Sequence, residues 1–268
     1  MILFPNAKIN LGLRILRKRE DGFHDIESIM IPVPIFDILE LSASKEFSYT
    51  QTGIDIPSDG SLGLVERAYM LMKNRYGIGP VAIHLRKQIP IGAGLGGGSA
   101  DAAFTLKGLN DWFDLRLSTE TLEQLAAELG SDCPFFIANQ PALATGRGEH
   151  LHPMNVDLSG LYIAIYNPGI HVSTASAYGS IIPNPANSIG HQIKALQEWQ
   201  AYYVNDFEKP VTTAHPEISQ GIQYLIQEGA IYAAMSGSGS SYLGIFENPP
   251  INLTAKGLLY VGSCLLSN

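Results

Sequence analysis

The stretch richest in potential chemistry is Pro90-Ile91-Gly92-Ala93-Gly94-Leu95-Gly96-Gly97-Gly98-Ser99-Ala100-Asp101. Glycine fills five of the seven positions from 92 to 98. A backbone without Cβ atoms can take positive φ and approach a ligand closely. Apolar–polar alternation over 81–86 precedes the stretch and helical spacing over 99–113 follows it. It therefore reads as a strand-to-helix turn whose helix offers unpaired N–H groups and a positive dipole end to an anion. Small residues at Ala100, Ala102 and Ala103 allow that helix to pack closely. Gly92-x-Gly94-x-x-Gly97 matches a dinucleotide fingerprint only formally, because the acids downstream, Asp111 and Asp114, flank Trp112 and Phe113 at a helix end. No Gly-Lys-Ser/Thr is present, so this is not a Walker A loop. The plain alternative is a tight turn without a ligand, but ordinary turns need only one or two glycines, and the excess favours phosphate.

Two other segments carry candidates. Met235-Ser236-Gly237-Ser238-Gly239-Ser240-Ser241 lies between the apolar runs 231–235 and 242–246. Alone it reads as a hairpin turn; beside a phosphate loop it offers small donors for phosphate or substrate. In Leu129-Gly130-Ser131-Asp132-Cys133-Pro134-Phe135-Phe136, spacing makes Asp132 a helix N-cap with Pro134 just inside. It equally offers a carboxylate to accept the proton of an attacking hydroxyl, and the two roles are compatible.

The elements that must position these residues are partly legible. Strands are expected over 81–86, 161–166 and 242–246. A helix over 62–75 has Leu62, Val65, Tyr69 and Met72 at helical spacing, and one over 99–113 has Ala102, Leu106, Leu109 and Phe113 on one stripe. A third, over 119–129, starts after Ser118 as N-cap, with Glu120 and Glu123 near its positive end. Leu122, Leu125, Ala126 and Leu129 form its apolar stripe, and Gly130 stops it. Without a regular βαβ rhythm the class is α+β. The polar, Pro/Gly-punctuated stretch 152–160 is the candidate seam between domains 1–152 and 153–268, and 183–190 reads as a surface loop.

The 268 residues suffice for one large domain or two sharing a cleft, and 46% hydrophobic with 16% charged is globular. Seventeen basic against 25 acidic residues give a net charge of −8. That sign disfavours nucleic acid, so any polyphosphate must be held locally, by backbone N–H groups, a few cations and a metal. Cys133 and Cys264 allow at most one bridge and lack zinc spacing. The N-terminus has no signal or transit pattern, and no apolar run reaches the about 18 residues of a membrane span. A soluble protein of the bacterial cytoplasm is expected, with no membrane and no obligate protein partner.

Taken in order, the three segments resemble the three motifs of the GHMP kinases, the family of galactokinase, homoserine kinase and mevalonate kinase. The opening Pro5-Asn6-Ala7-Lys8-Ile9-Asn10-Leu11-Gly12-Leu13, followed by Arg19-Glu20-Asp21-Gly22-Phe23-His24, is similar to members whose acceptor is a cytidine-diphosphate-linked methylerythritol. The resemblance runs from residue 4 to about 246. It implies a two-domain fold: an N-terminal ATP-binding domain (ribosomal protein S5 domain 2-like) and a C-terminal ferredoxin-like α/β sandwich. It implies transfer of the γ-phosphoryl of ATP, with Mg2+, to the acceptor's 2-hydroxyl in non-mevalonate isoprenoid synthesis.

Carried over by position, Asp132 is the catalytic base and Lys8 its partner. Asn10 holds the methylerythritol end. Pro90, Gly92, Ala93, Gly94, Leu95, Gly96, Gly97, Gly98 and Ser99 form the ATP phosphate loop. Phe23 and His24 hold cytosine, with Tyr178, ten residues after Pro168 in Pro168-Gly169-Ile170-His171-Val172-Ser173-Thr174, as a second aromatic face. Ser236, Gly237, Ser238 and Gly239 are the third motif, and no protein metal ligand is implied. Plain readings exist for each: Lys8 as a solvated lysine, His24 as a loop histidine, Phe23 and Tyr178 as core or rim aromatics. The order of the motifs favours the functional set. Two departures stand out: Phe23 where tyrosine is commoner, and Gly63 where an asparagine usually contacts adenine. The rival readings are another GHMP kinase, acting on mevalonate, homoserine or a sugar, and a non-catalytic nucleotide-binding protein.

Overall fold

Strands and helices are interspersed in the computed structural model, which describes residues 1–55, 60–172, 174–179, 181–251, 253 and 257–263. Cys264 and Ser173 lie outside the described residues. The strands in chain order are β1 (Ile2–Leu3), β2 (Asn6–Lys18), β3 (His24–Phe36), β4 (Ile38–Ala43), β5 (Ser48–Gly53) and β6 (Val81–Lys87). They continue as β7 (Ala142–Thr145), β8 (His150–Pro153), β9 (Tyr162–Tyr166), β10 (Tyr232–Met235), β11 (Tyr242–Phe246) and β12 (Leu258–Ser263). The helices are α1 (Leu64–Tyr76), α2 (Gly97–Trp112), α3 (Thr119–Leu129) and α4 (Phe135–Ala138), then α5 (Thr174–Gly179), α6 (Trp199–Tyr202), α7 (Glu208–Ala214) and α8 (Pro216–Gln227). The α+β class and the strands and helices expected around the glycine loop are all present.

Packing divides the chain into two units that interleave along the sequence. The first takes Met1–Ala7, Ile35–Ile91 and Gly96–Gln140; the second takes Lys8–Pro34, Gly92–Leu95 and the chain from Pro141 onward. In the first unit the sheet order is β1-β4-β6-β5, with β6 antiparallel to β4 and parallel to β5. Val81, Ile83 and Leu85 are buried on alternate positions of β6, and Lys87 continues the same buried face. Gly108 lets α2 close on the sheet, since a Cβ there would lie 2.5 Å from Leu3 Cδ1 and 2.8 Å from Leu41 Cδ1.

Helix α1 starts later than its spacing suggests. Leu62, expected on the apolar stripe, precedes the helix and is 50% exposed. The reason is the cap: Gly63 is extended, and Glu66 Oε2 accepts from its N–H at 2.9 Å, closing the first turn. Helix α3 agrees with expectation, with Ser118 Oγ accepting from Thr121 N at 3.2 Å. Gly130 follows it in extended backbone rather than the left-handed region.

The second unit holds two antiparallel sheets, ordered β2-β3-β7-β8 and β10-β11-β9-β12. Ile218, Ile222 and Leu225, one face of α8, pack with Phe207, Val211, Met235 and Phe246 in its core. His152 and Pro153, at the head of the expected seam, are paired in β8 opposite Leu143 and Ala142. In the loop 183–190, Asn184, Pro185, Ala186 and Ser188 are exposed, while Ile189 is buried and the rest are half-buried. Among the described residues no helix is long and apolar enough to cross a membrane.

Candidate functional site

Strand β2 enters the second unit with a polar inner face. Lys8 and Asn10, two residues apart and so on the same side of the strand, are 4% and 2% exposed. Lys8 Nζ donates to Asn10 Oδ1 at 2.5 Å. Asn10 Nδ2 donates to Ser28 Oγ at 2.7 Å, and Ser28 Oγ donates to Gly12 O at 2.6 Å. Burying an ammonium and an amide is costly unless each is paired, and this chain of bonds holds both in one orientation. Lys8 is therefore not the solvated lysine of the plain reading.

The glycine loop is anchored on the same strand. Lys8 N donates to Leu95 O at 2.9 Å. Ala93 and Leu95 are 3% and 1% exposed, while Gly92 faces solvent and Pro90, Gly94, Gly96 and Ser99 are half-buried. Gly92, Gly94 and Gly96 all have positive φ, as the excess of glycine suggests. At Gly94 the requirement is absolute: a Cβ would lie 2.0 Å from Ser236 O. The third motif, a hairpin turn between β10 and β11, closes directly on this point. Ser236 Oγ donates to Gly94 O at 3.0 Å and accepts from Asn10 N at 3.3 Å, and Ser241 N donates to Ala93 O at 3.1 Å. The hairpin and ligand-loop readings are thus one structure. Gly237 and Gly239 take positive φ, and Ser238 is half-buried at the tip. Asn205 Nδ2 supports the turn from behind, donating to Met235 O and Gly237 O, both at 2.8 Å.

The loop's other end belongs to the first unit. Gly96 caps α2, so the N–H groups of Gly97, Gly98 and Ser99 open the helix without intrahelical acceptors. The Asp132 turn packs beside this end. Cys133 Sγ shares a hydrogen bond with Ser99, and burial pushes the Cys133 thiol up to about 11. Arg67, exposed on α1, contributes positive charge near the same thiol. Asp132 is half-buried and precedes α4, whose N-cap is Pro134 with no side-chain capping bond. The N-cap position that spacing suggested for Asp132 falls to Pro134, because the chain turns once more before the helix begins.

The nucleobase candidates lie together in the second unit but are arranged differently from the expectation. His24 stacks on Tyr178 with ring centroids 4.8 Å apart and an interplanar angle of 16°. Tyr178 in turn meets Phe207 at a right angle, ring centroids 4.8 Å apart. Phe23 is 54% exposed, with the Arg147 guanidinium 5.0 Å from its ring centroid. The imidazole of His24 thus occupies one face of Tyr178, and a base stacking on that face must displace His24. Burial, followed by the nearby Lys18 charge, holds His24 below the ordinary histidine range.

Residues with no assigned role also belong to these surroundings. His171 stands beside the loop, its Nδ1 3.5 Å from where a Gly92 Cβ would be. Ser240 Oγ donates to Ile170 O at 2.5 Å, tying its segment to the third motif. Lys87, Asp37 and Asp101 form a buried cluster under the start of α2. Their positions, 37, 87 and 101, have no local pattern that would have revealed the grouping.

Comparison with known proteins gives consistent results. The family model for the GHMP kinases N terminal domain matches residues 63–146, and that for the GHMP kinases C terminal domain matches 187–253. A 4-diphosphocytidyl-2-C-methyl-D-erythritol kinase from Cytophaga hutchinsonii is 49% identical over 253 residues, covering 93% of this chain and 94% of its own. One of the same name from Parabacteroides distasonis is 48% identical, covering 93% of each chain. A crystal structure of 4-(cytidine 5'-diphospho)-2C-methyl-D-erythritol kinase superposes with a TM-score of 0.77 at 32% identity, covering 93% of this chain and 91% of that one. The mevalonate kinase of Methanococcus jannaschii, at 12% identity and a TM-score of 0.68 over 92% of this chain and 90% of that one, shares the fold.

Proposed function

The chain belongs to the GHMP kinases, and from that premise we propose that it transfers the γ-phosphoryl of ATP to the 2-hydroxyl of 4-diphosphocytidyl-2-C-methyl-D-erythritol. The products are the 2-phosphate and ADP, and the step serves non-mevalonate isoprenoid synthesis. The observation that carries the acceptor's identity is the 49% identity to a kinase of that name across 93% of the chain.

In this reading the phosphates lie on the glycine loop, Pro90 to Ser99, where backbone N–H groups oppose their charge. Mg2+ arrives with ATP as part of the substrate and neutralises phosphate oxygens when bound. Asp132 accepts the proton as the 2-hydroxyl oxygen bonds to the γ-phosphorus and the bond to the bridging oxygen of ADP breaks. Lys8 neutralises the charge that develops on the hydroxyl oxygen, and Asn10 and the 236–239 turn hold the methylerythritol end. The Lys8–Asn10–Ser28 chain supports these roles because it fixes the ammonium in advance. Phe23, His24 and Tyr178 take the cytosine, and the 54% exposure of Phe23 leaves a face for stacking. The division at 152/153 is supported by the two family models falling on either side of it. Dependence on ATP supports a place in the bacterial cytoplasm, and the reaction requires no protein partner.

The test is ADP release with ATP and magnesium, offering the cytidine compound, methylerythritol phosphate, mevalonate and homoserine in turn. Turnover with the cytidine compound alone is the expected result. Turnover with another acceptor overturns the substrate while keeping the kinase chemistry, and ATP binding without turnover favours a non-catalytic protein.

A further inference from the structure

Under the first turn of α2 lies a charged cluster that the transfer reaction leaves unused. The side chains of Asp37, Lys87 and Asp101 are 0%, 1% and 3% exposed. Lys87 Nζ donates to Asp37 Oδ2 at 2.5 Å and to Asp101 Oδ2 at 2.7 Å. Asp37 is fully engaged, since its Oδ1 also accepts from Gln88 N at 2.5 Å and Ile89 N at 2.9 Å. Asp101 is not: its Oδ1 is buried and has no hydrogen-bond partner. The ammonium sits directly beneath the loop, 2.8 Å from where a Cβ on Gly97 would be. Asp101 is on α2, one turn beyond Gly97, so the same cluster grips the helix at two levels.

Two carboxylates face one ammonium here, and all three side chains are buried away from bulk solvent. Among the described residues, Tyr49 from β5 also feels the charges of Asp101 and Asp37, and Glu66 from α1 bears on Tyr49. Neither adds a cation. A buried carboxylate oxygen without a donor is costly when ionised, and a proton on it removes the surplus. Burial accordingly pushes Asp101 up, to about 7, against the opposing pull of Lys87.

We propose that Asp37, Lys87 and Asp101 form a proton-bearing clasp that positions the α2 end of the phosphate loop, and that ATP binds best to the form carrying a proton on Asp101. Loss of that proton to solvent leaves a net negative charge under the N–H groups that receive the phosphates. It also draws Lys87 more strongly toward Asp101, away from the midpoint of its two partners. The proposal rests on the ATP-binding reading of the loop. Asp101 acts here through Lys87 and the helix, as a positioning residue.

The experiment is KM for ATP and kcat, measured separately from pH 6 to 9, for the wild type and Asp101→Asn. In the wild type, KM for ATP should rise about three- to ten-fold between pH 6.5 and 8.5, within the limit set by one linked proton, with kcat changing less. Asp101→Asn, which keeps an acceptor for Lys87 and carries its own N–H, should flatten that rise. The same slope in both proteins overturns the clasp. A second readout needs neither turnover nor the variant's folding: the Asp101 carboxyl carbon of the wild type, followed by NMR, should titrate near neutral pH. Titration in the ordinary carboxylate range overturns the proposal even if catalysis is intact. Neutral titration without turnover keeps the clasp and removes the kinase reading instead.

Discussion

Asp132 and His24 give the sharpest tests at the scale of single residues. Asp132→Asn keeps the shape of the turn beside Ser99 and removes the proposed proton acceptor. kcat should fall by about 10²–10⁴-fold with KM little changed, and near-full activity in an ADP-release assay removes the base assignment. His24 is held below the ordinary histidine range by burial and by Lys18, so at neutral pH it is an imidazole with one donor and one acceptor nitrogen. Such a ring suits a cytosine edge, which presents both kinds of group. His24→Ala should therefore raise KM for the cytidine substrate while sparing KM for ATP. In the wild type that KM should climb only at pH values below the usual histidine titration, because a depressed pKa delays the charge. Gly94 permits no side chain at all, given a Cβ position 2.0 Å from Ser236 O and positive φ.

At the scale of elements, the third motif depends on a residue outside it. Asn205 alone donates to both Met235 O and Gly237 O, and it is 3% exposed. Asn205→Ala strands two buried carbonyls, at about 1–3 kcal/mol each, so a lowered denaturant midpoint and a raised KM should appear together. A variant with wild-type stability would mean the turn holds itself. The contrast between α3 and β2 shows how far the sequence could be read. Helix α3 was legible from end to end because its cap at Ser118, its stripe and its terminator are all local. Strand β2 is only partly legible: the apolar run after Lys8 is strand-like, but burial on both faces with Lys8, Asn10 and Gly12 inside destroys the alternation. Strand β3 holds Pro32 and Pro34 and gave no strand signal. Helix α8 has a legible stripe in Ile218, Ile222 and Leu225 at helical spacing. The glycine loop's shape could be anticipated; its closure by Ser236 could not, since 142 positions separate Ser236 from Gly94.

For the whole molecule, charge sets two expectations. A protein of net charge −8 repels anionic ATP and an anionic acceptor over distances that salt shortens. kcat/KM should rise by about two-fold as ionic strength goes from 20 to 150 mM, and a steep fall would point to an unrecognised basic funnel. Stability should bear the mark of Asp101. Its folded pKa lies above that of the unfolded chain, so the native state binds the proton more tightly, and its contribution declines as pH rises from about 4 toward about 7. Asp101→Asn removes that decline, so its melting temperature should gain on the wild type's at pH 8 and lose the advantage at pH 5. The interleaving of the two units also bears on synthesis. A ribosome delivers Lys8, Asn10 and the glycine loop early, yet Ser236 must follow Gly94 by 142 residues, on the order of ten seconds of elongation at ordinary rates. The first unit has all its segments once Gln140 emerges. The polar face of β2 must wait, its lysine and asparagine without the hairpin that closes over them, until Ser236 emerges. A nascent chain stalled before Ser236 emerges is thus a first unit of sheet and helices tethered to an unsealed strand, the kind of intermediate that chaperones shield.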